Sequence, residues 1–136
     1  MAGPYTITQI NDIPLSDNID DLLTGKRGRQ VAEASLVEIA INVEDVDVTV
    51  GVTIGAIDAL SAGSRVTLQA AIGVMPIFPD DAIIRTFADA KDEIIISAVN
   101  ADAAAAREVR AVVRVTPIDD VMLVNAVKAQ TQAQVG

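Results

Sequence analysis

A run of basic residues between glycines is the first feature of this chain that has a chemical meaning. Gly25-Lys26-Arg27-Gly28-Arg29 holds three of the ten basic residues within four positions. A phosphate-binding loop of the Walker type requires G-x-x-x-x-G-K-[ST] between a strand and a helix, and here an arginine follows the lysine, so the match fails. Two interpretations remain for Lys26, Arg27 and Arg29: a solvated loop, or a docking segment that pairs with acidic surface on another subunit.

Adjacent carboxylates suggest a second kind of site. The pairs are Asp20-Asp21, Glu44-Asp45, Asp80-Asp81 and Asp119-Asp120. Calcium prefers several such oxygens in one loop, so the candidate ligands are Glu44, Asp45 and Asp47, or else Asp80 and Asp81. The spacing of an EF-hand is absent, and solvated turns are the other interpretation. We therefore assign no metal ligand and expect no cofactor.

The chain lacks the side chains on which most enzymes depend. It has no histidine and no cysteine, which removes the commonest general base, thiolate nucleophiles, disulfides and thiolate metal sites. Two carboxylates can hydrolyse sugars, but such enzymes commonly grip sugar on aromatic platforms, and Tyr5, Phe78 and Phe87 are the only aromatic residues. We expect a protein that is not an enzyme.

The composition favours strands and self-association. Hydrophobic residues make up 51% of the chain and aromatic residues 2%, so Val, Ile, Leu and Ala must fill the core, and β-branched side chains pack well in strands. This hydrophobic content exceeds the roughly 45–50% of an average soluble domain. Since the chain has no apolar stretch of about 20 residues that could span a bilayer, we assign the excess to subunit contacts. A net charge of −9 repels nucleic acid. Residues 1–5 show no secretory signal, so we expect synthesis in the cytoplasm.

Alternating apolar and polar residues predict an all-β protein. The predicted strands are residues 5–10, 36–43, 46–54, 66–72, 82–87, 93–99 and 107–116. The clearest is 46–54, where Val or Ile at every second position alternates with Asp, Thr or Gly. Residues 31–38 contain good helix formers, but the alternation that follows favours a strand. Short strands at regular spacing indicate an antiparallel β-sandwich of the jelly-roll or immunoglobulin-like type.

An apolar crossover and the last strand carry the other candidate contact residues. Pro76 and Pro79 cannot donate to a sheet ladder, so the apolar stretch around them is predicted as a crossover loop. Its side chains Met75, Ile77 and Phe78 must be covered by the domain itself or by a neighbouring subunit.

On the last predicted strand, Arg110 and Arg114 share a face with Glu108. We expect both arginines to pair with carboxylates across strands or across a subunit boundary, and a solvated outer face is the other interpretation.

The remaining segments are predicted as turns and arms. Residues 58–65 read as a turn, and residues 88–92 as the turn of a β-hairpin between the strands on either side. Residues 11–30, rich in Asp, Asn and Gly, read as an extended arm or long loop. The predicted parts of the chain are 1–35 (N-terminal strand and extended arm), 36–118 (sandwich domain) and 119–136 (C-terminal segment and tail).

Four segments share a pattern with a known class of proteins. They are residues 62–68 (AGSRVTL), 77–81 (IFPDD), 94–100 (IIISAVN) and 109–118 (VRAVVRVTPI). A strand, a proline-bearing crossover, a strand ending in Asn and an alternating strand closed by Pro-Ile follow one another over roughly residues 46–118. In this pattern the chain resembles small β-sandwich virion proteins of bacteriophages, which include capsid decoration (cement) proteins and minor capsid proteins.

The resemblance implies a structural protein of the virion, assembled in the host cytoplasm. Its expected partners are copies of itself, as a homo-oligomer, and other capsid proteins, without a membrane or nucleic acid. Proteins of this class are similar in having terminal arms that reach over neighbouring subunits. The residues expected to bind partners are Lys26, Arg27, Arg29, Met75, Ile77, Phe78, Arg110 and Arg114. A calcium- or ligand-binding β module is the alternative.

Overall fold

The computed structural model describes residues 3–118, which form an all-β sandwich. The strands are β1 (Tyr5–Ile13), β2 (Asp17–Ile19), β3 (Ser35–Val43), β4 (Val48–Ile54), β5 (Ile57–Ser64), β6 (Thr67–Leu68), β7 (Ala82–Ala88), β8 (Ile94–Asn100) and β9 (Arg107–Pro117). The all-β prediction is confirmed. In this part of the chain no helix is long and apolar enough to cross a membrane.

Two sheets pack against each other. Sheet A has the order β1-β9-β3-β6, with β7 also pairing with β3, and sheet B has the order β2-β8-β4-β5. Strand pairs are antiparallel except the short pair of β3 with β6. The chain passes between the sheets at every connection except β4–β5 and β6–β7. The first and last strands therefore lie side by side in sheet A.

The core lies between the sheets and is built from every second residue of the central strands. The inward side chains include Val37, Ile39, Ile41, Val43, Val48, Val50, Val52, Ile54, Ile94, Ile96, Val109, Ala111, Val113 and Val115, all of which are buried. Burying each of the larger ones contributes about 1.5–3 kcal/mol. Val46, predicted as part of this face, is exposed, because the main chain turns between Asp45 and Val48 before β4 begins.

The predicted turn at residues 58–65 is wrong, since this segment forms most of β5 along the edge of β4. Its small residues hide the strand signal, and its register with β4 is irregular. Gly51 permits the close approach, because a Cβ on Gly51 would lie 2.8 Å from the Cα of Ala62. The strand predicted at residues 66–72 shortens to β6.

The predicted hairpin of residues 82–99 is also wrong. Both strands exist, but β7 pairs with β3 in sheet A, and β8 lies between β2 and β4 in sheet B. The turn between them is tied to the β2–β3 connection, since Val31 donates its N–H to the carbonyl of Asp92 at 2.9 Å and accepts from Lys91 at 2.6 Å. Polar turn residues between two apolar runs indicate a change of direction and do not say which sheet follows.

The N-terminal segment belongs to the sandwich, contrary to the extended arm predicted for residues 11–30. β1 pairs with β9 along its whole length, and β2 pairs with β8. Leu22 and Leu23 are buried, and the N–H of Leu22 donates to the carbonyl of Ile96 at 2.7 Å. The few apolar residues of this segment thus enter the core, and the sandwich begins at Tyr5 and not at residue 36. The predicted tail at 119–136 lies outside the described residues.

Candidate partner-binding surface

The proline-bearing connection between β6 and β7, called the crossover here (residues 69–81), lies across the outer face of sheet A. Asn42 on β3 and Arg110 on β9 are directly opposite each other and hold it. Arg110 donates from Nη1 to the carbonyl of Gln69 at 3.0 Å and to that of Val74 at 3.3 Å, and to Asn42 Oδ1 at 3.0 Å. Asn42 Nδ2 also donates to the Val74 carbonyl, at 2.9 Å. The crossover is thereby fixed to two central strands.

A buried ion pair completes this attachment. Arg110 is fully buried and donates from Nε to Glu108, whose carboxylate also accepts the N–H of Gly73 at 2.7 Å. Burial alone would raise the pKa of Glu108, but the Gly73 N–H and the Arg110 guanidinium outweigh it and hold that pKa below its usual range. Arg110 Nη2 has no hydrogen-bond partner among residues 3–118.

Arg110 is therefore not a surface residue, which corrects its predicted position on an accessible outer face. Its carboxylate partner lies two positions away on the same strand and not across a strand or subunit boundary. Sequence alternation placed its side chain on the outer face of sheet A correctly. It gave no sign that the crossover covers this face.

Fixed in this way, the crossover presents apolar side chains to solvent. Ile72, Val74 and Ile77 are 65%, 41% and 57% exposed, whereas Pro76 is buried. The predicted contact residues divide accordingly, because Ile77 is accessible while Met75 and Phe78 are half-buried. Contiguous exposed apolar surface with a polar rim marks interaction sites in soluble proteins.

The basic loop (residues 25–29) lies near the crossover, at the free edge of sheet A. Lys26 and Met75 line a common groove of about 360 Å³ with Thr8, Gln9 and Ile10 of β1, the edge strand. The Tyr5 hydroxyl donates to the carbonyl of Gly28 at 2.7 Å and so holds the loop beside β1, and burial raises the pKa of Tyr5. The structure thus brings together two predicted contact residues that are far apart in sequence.

The three predicted basic residues differ in their surroundings. Lys26 and Arg27 are exposed and form no ion pair with any residue in the described range. Arg29 is bound within the chain, with its Nη2 2.6 Å from Asp21 and 3.4 Å from Glu93. Lys26 and Arg27 are therefore the accessible cations of this loop, and Arg29 stabilises its base.

A row of charges crosses the outer face of sheet A beside the crossover. Glu38 on β3 lies directly opposite Arg85 on β7 and Arg114 on β9. The Nε atom of Arg114 is 3.2 Å from Glu38, and that of Arg85 is 3.8 Å away. The Arg114 guanidinium also lies over the ring of Phe78, 4.3 Å from its centre. The cross-strand pairing predicted for Arg114 is present; Arg85 and Glu38 were missed, because strand register cannot be read from one sequence.

The candidate calcium ligands meet a cation of the chain itself. Asp45 and Asp47 come close to Asp102, with carboxylate oxygens of all three within 4.8 Å of one another. Arg107 lies 2.8 Å from Asp102 and 3.5 Å from Asp45, and also contacts Glu44 at 3.6 Å. The pKa of Asp102 is lowered by the hydrogen bond from the Ala104 N–H and by Arg107. Asp102 in turn raises the pKa of Arg107. Arg107 thus serves as counter-ion to the cluster.

The other predicted ligand pair forms a turn. The Asp81 carboxylate accepts the N–H of Ile77 at 3.0 Å, and Asp80 is exposed beside it. One carboxylate of the pair is thus engaged by the main chain, as in the solvated-turn interpretation.

No protein-family model matches this chain, and no curated protein matches its sequence. The chemistry of the surface described above is therefore the basis for assigning a function.

Proposed function

We propose that this protein is a non-enzymatic structural component of a virion, which associates with copies of itself and stabilises a capsid lattice as a cement (decoration) or minor capsid protein. The observation that carries the proposal is the crossover, which exposes Ile72, Val74 and Ile77 while its main chain is fixed by Arg110. A surface fixed before binding loses little conformational entropy when a partner docks. Apolar contact then drives association, with Lys26 and Arg27 at the rim.

The buried ion pair beneath the crossover supports this role. Taking Arg110 and Glu108 out of water is costly, and an apolar pair of similar volume is often at least as stable. The pair instead gives the crossover one defined conformation, through bonds to Gln69, Gly73 and Val74. A defined conformation of an exposed apolar segment is what a repeated subunit contact requires.

We infer further that the sandwich is of the jelly-roll type, on the basis of strand order. Apart from the two-residue strand β6, which also pairs with β3, sheet A has the order β1-β9-β3-β7, and sheet B has the order β2-β8-β4-β5. In immunoglobulin-type sandwiches the first two strands lie in the same sheet. Here β1 pairs with the last strand and β2 lies in the other sheet. Jelly rolls are common in viral capsid proteins, which supports the virion assignment.

The proposal is tested by the mass of the purified protein in solution, measured by light scattering across a range of concentrations. We expect a defined oligomer that Ile77→Ser shifts toward monomer. Ile57→Ser is the matched control, because Ile57 is a similarly exposed isoleucine, 53% against 57%, at the start of β5 in sheet B. A wild-type protein that stays monomeric at every concentration would overturn self-association, and equal effects of the two variants would remove the crossover from the interface.

A further inference from the structure

Two arginines on the outer face of sheet A share a single carboxylate. Arg85 and Arg114 both direct Nε toward Glu38, from opposite sides. The atoms that approach Glu38 are the Nε atoms, and the terminal Nη groups donate no hydrogen bond to any residue between 3 and 118. The side chains of Arg85 and Arg114 are 71% and 44% exposed, whereas that of Glu38 is 19% exposed. The row therefore carries one excess positive charge.

The arginine pair lines a shallow pocket with one preorganised wall. The pocket has a volume of about 400 Å³, and Phe78, Pro79 and Ala82 of the crossover and β7 form its apolar side. Arg114 is held over the Phe78 ring, an arrangement that favours a guanidinium and limits its rotation. A guanidinium whose Nη atoms are free recognises a carboxylate through two parallel hydrogen bonds. Glu38 also lines the pocket, but it is shared by two arginines, so the pocket keeps one excess positive charge and a carboxylate is the group that this charge favours.

The crossover presents such a carboxylate immediately beside the pocket. Asp80 sits at the corner of a tight turn, in which Asp81 donates its N–H to Ile77 at 2.9 Å and Ala82 donates to Pro79 at 3.1 Å. The turn keeps Asp80 exposed, and its carboxylate has no hydrogen bond or ion pair with another residue of the described chain. The carboxylate of Asp80 is thus available as an acceptor beside the guanidinium groups of Arg85 and Arg114.

We propose that two copies of this chain associate about a two-fold axis on this face, so that Asp80 of each copy binds between Arg85 and Arg114 of the other. This two-fold contact rests on the proposed self-association and supplies the polar contacts of that interface. In a two-fold interface the same patch occurs on both sides, so a patch with both signs of charge is self-complementary. The net charge of −9 makes two copies repel each other, and these paired contacts offset that repulsion where the surfaces meet.

A charge exchange between two variants tests the inference. Asp80→Arg places a positive charge against the two arginines of the partner, and Arg85→Asp places a carboxylate against Asp80. Each variant alone is expected to self-associate about tenfold more weakly than wild type in sedimentation equilibrium. An equimolar mixture is expected to associate more strongly than either variant alone, since a mixed pair has one contact of the wild-type kind and one in which the introduced arginine meets the introduced aspartate. Both positions are exposed, and Arg85→Glu, which keeps the reversed charge, serves in place of Arg85→Asp if the latter lowers the unfolding midpoint.

The outcomes separate this inference from the proposed function. Loss in each variant and recovery in the mixture support the two-fold contact. Unchanged association of Asp80→Arg overturns it, and so does a mixture no stronger than its components. If association is lost in Ile77→Ser but retained in Asp80→Arg, the crossover interface stands and the two-fold contact falls. If the wild-type protein does not associate, the proposed self-association itself fails.

Discussion

Arg110 couples the last strand to the crossover, and removal of its side chain measures what that coupling contributes. Arg110→Ala leaves the buried Glu108 without its cation and removes the hydrogen bonds from Arg110 to the carbonyl groups of Gln69 and Val74. Breaking one partner of a buried pair costs about 3–5 kcal/mol. We expect that loss in the free energy of unfolding, measured by urea titration. Arg114→Ala, the control on the same strand, should cost less than about 1 kcal/mol, because its ion pair is exposed. Equal losses would contradict the argument.

Single residues were predictable where period-two alternation decides their environment. The inward positions of β9, such as Val113, followed from the pattern, and the outward direction of Arg110 did too. Burial of Arg110 depends on a segment more than thirty positions earlier, whose carbonyl groups accept hydrogen bonds from that side chain. The row at Glu38 depends on the register of three strands. Contacts of this kind form between segments that are distant in sequence, so the local spacing of residues does not predict them.

At the scale of elements, most strands could be predicted because β-branched residues alternate within them. β4 and β9 are the clearest cases, and the crossover followed from two prolines that cannot join a ladder. β5 was missed because Ala, Ser and Gly give no alternation, and the space that it needs comes from Gly51 on a neighbouring strand. The extended arm predicted for residues 11–30 was wrong because Ile13, Leu22 and Leu23 are buried and anchor the segment to the sandwich, whereas the alternative of a long loop holds for the part between β2 and β3.

The basic loop between β2 and β3 contains cations with different tasks. Lys26 and Arg27 are exposed, while Arg29 is paired with Asp21 and Glu93. We expect Lys26→Ala/Arg27→Ala to keep the urea midpoint and to weaken self-association, most strongly at low salt, where attraction between exposed charges is least screened. Arg29→Ala should instead lower the midpoint. Sedimentation at two salt concentrations and urea titration check both; unchanged association of the double variant at low salt would remove the loop from the interface.

At the scale of the whole molecule, the topology was the least predictable property. The sheets close by pairing β1 with β9, so that strands from opposite ends of the described chain are neighbours. Strands β7 and β8, which were predicted to form a hairpin, lie in different sheets. Local sequence specifies strands and turns, whereas the choice of sheet is made by which apolar faces can be buried together. Short strands at regular spacing indicated a sandwich but did not give its strand order.

The pH dependence of stability is another property of the whole molecule, and its sign follows from two carboxylates. Glu108 and Asp102 both have a pKa below the usual value in the folded protein. The unfolded chain therefore takes up their protons first as the pH falls. The stability that they contribute is fully present above the pKa of unfolded carboxylates, about 4, and is lost as the pH falls through the lower folded pKa values.

We therefore expect the urea midpoint to be level from neutral pH to about pH 5 and to fall below about pH 4. Glu108→Gln should be less stable than wild type at neutral pH, because Arg110 then lacks its carboxylate. The difference between the two proteins should narrow in acid, where Glu108 itself becomes protonated. Urea titrations of both proteins over this range provide the measurement. A difference that stays constant down to about pH 3 would show that the lowered pKa of Glu108 does not contribute to folding.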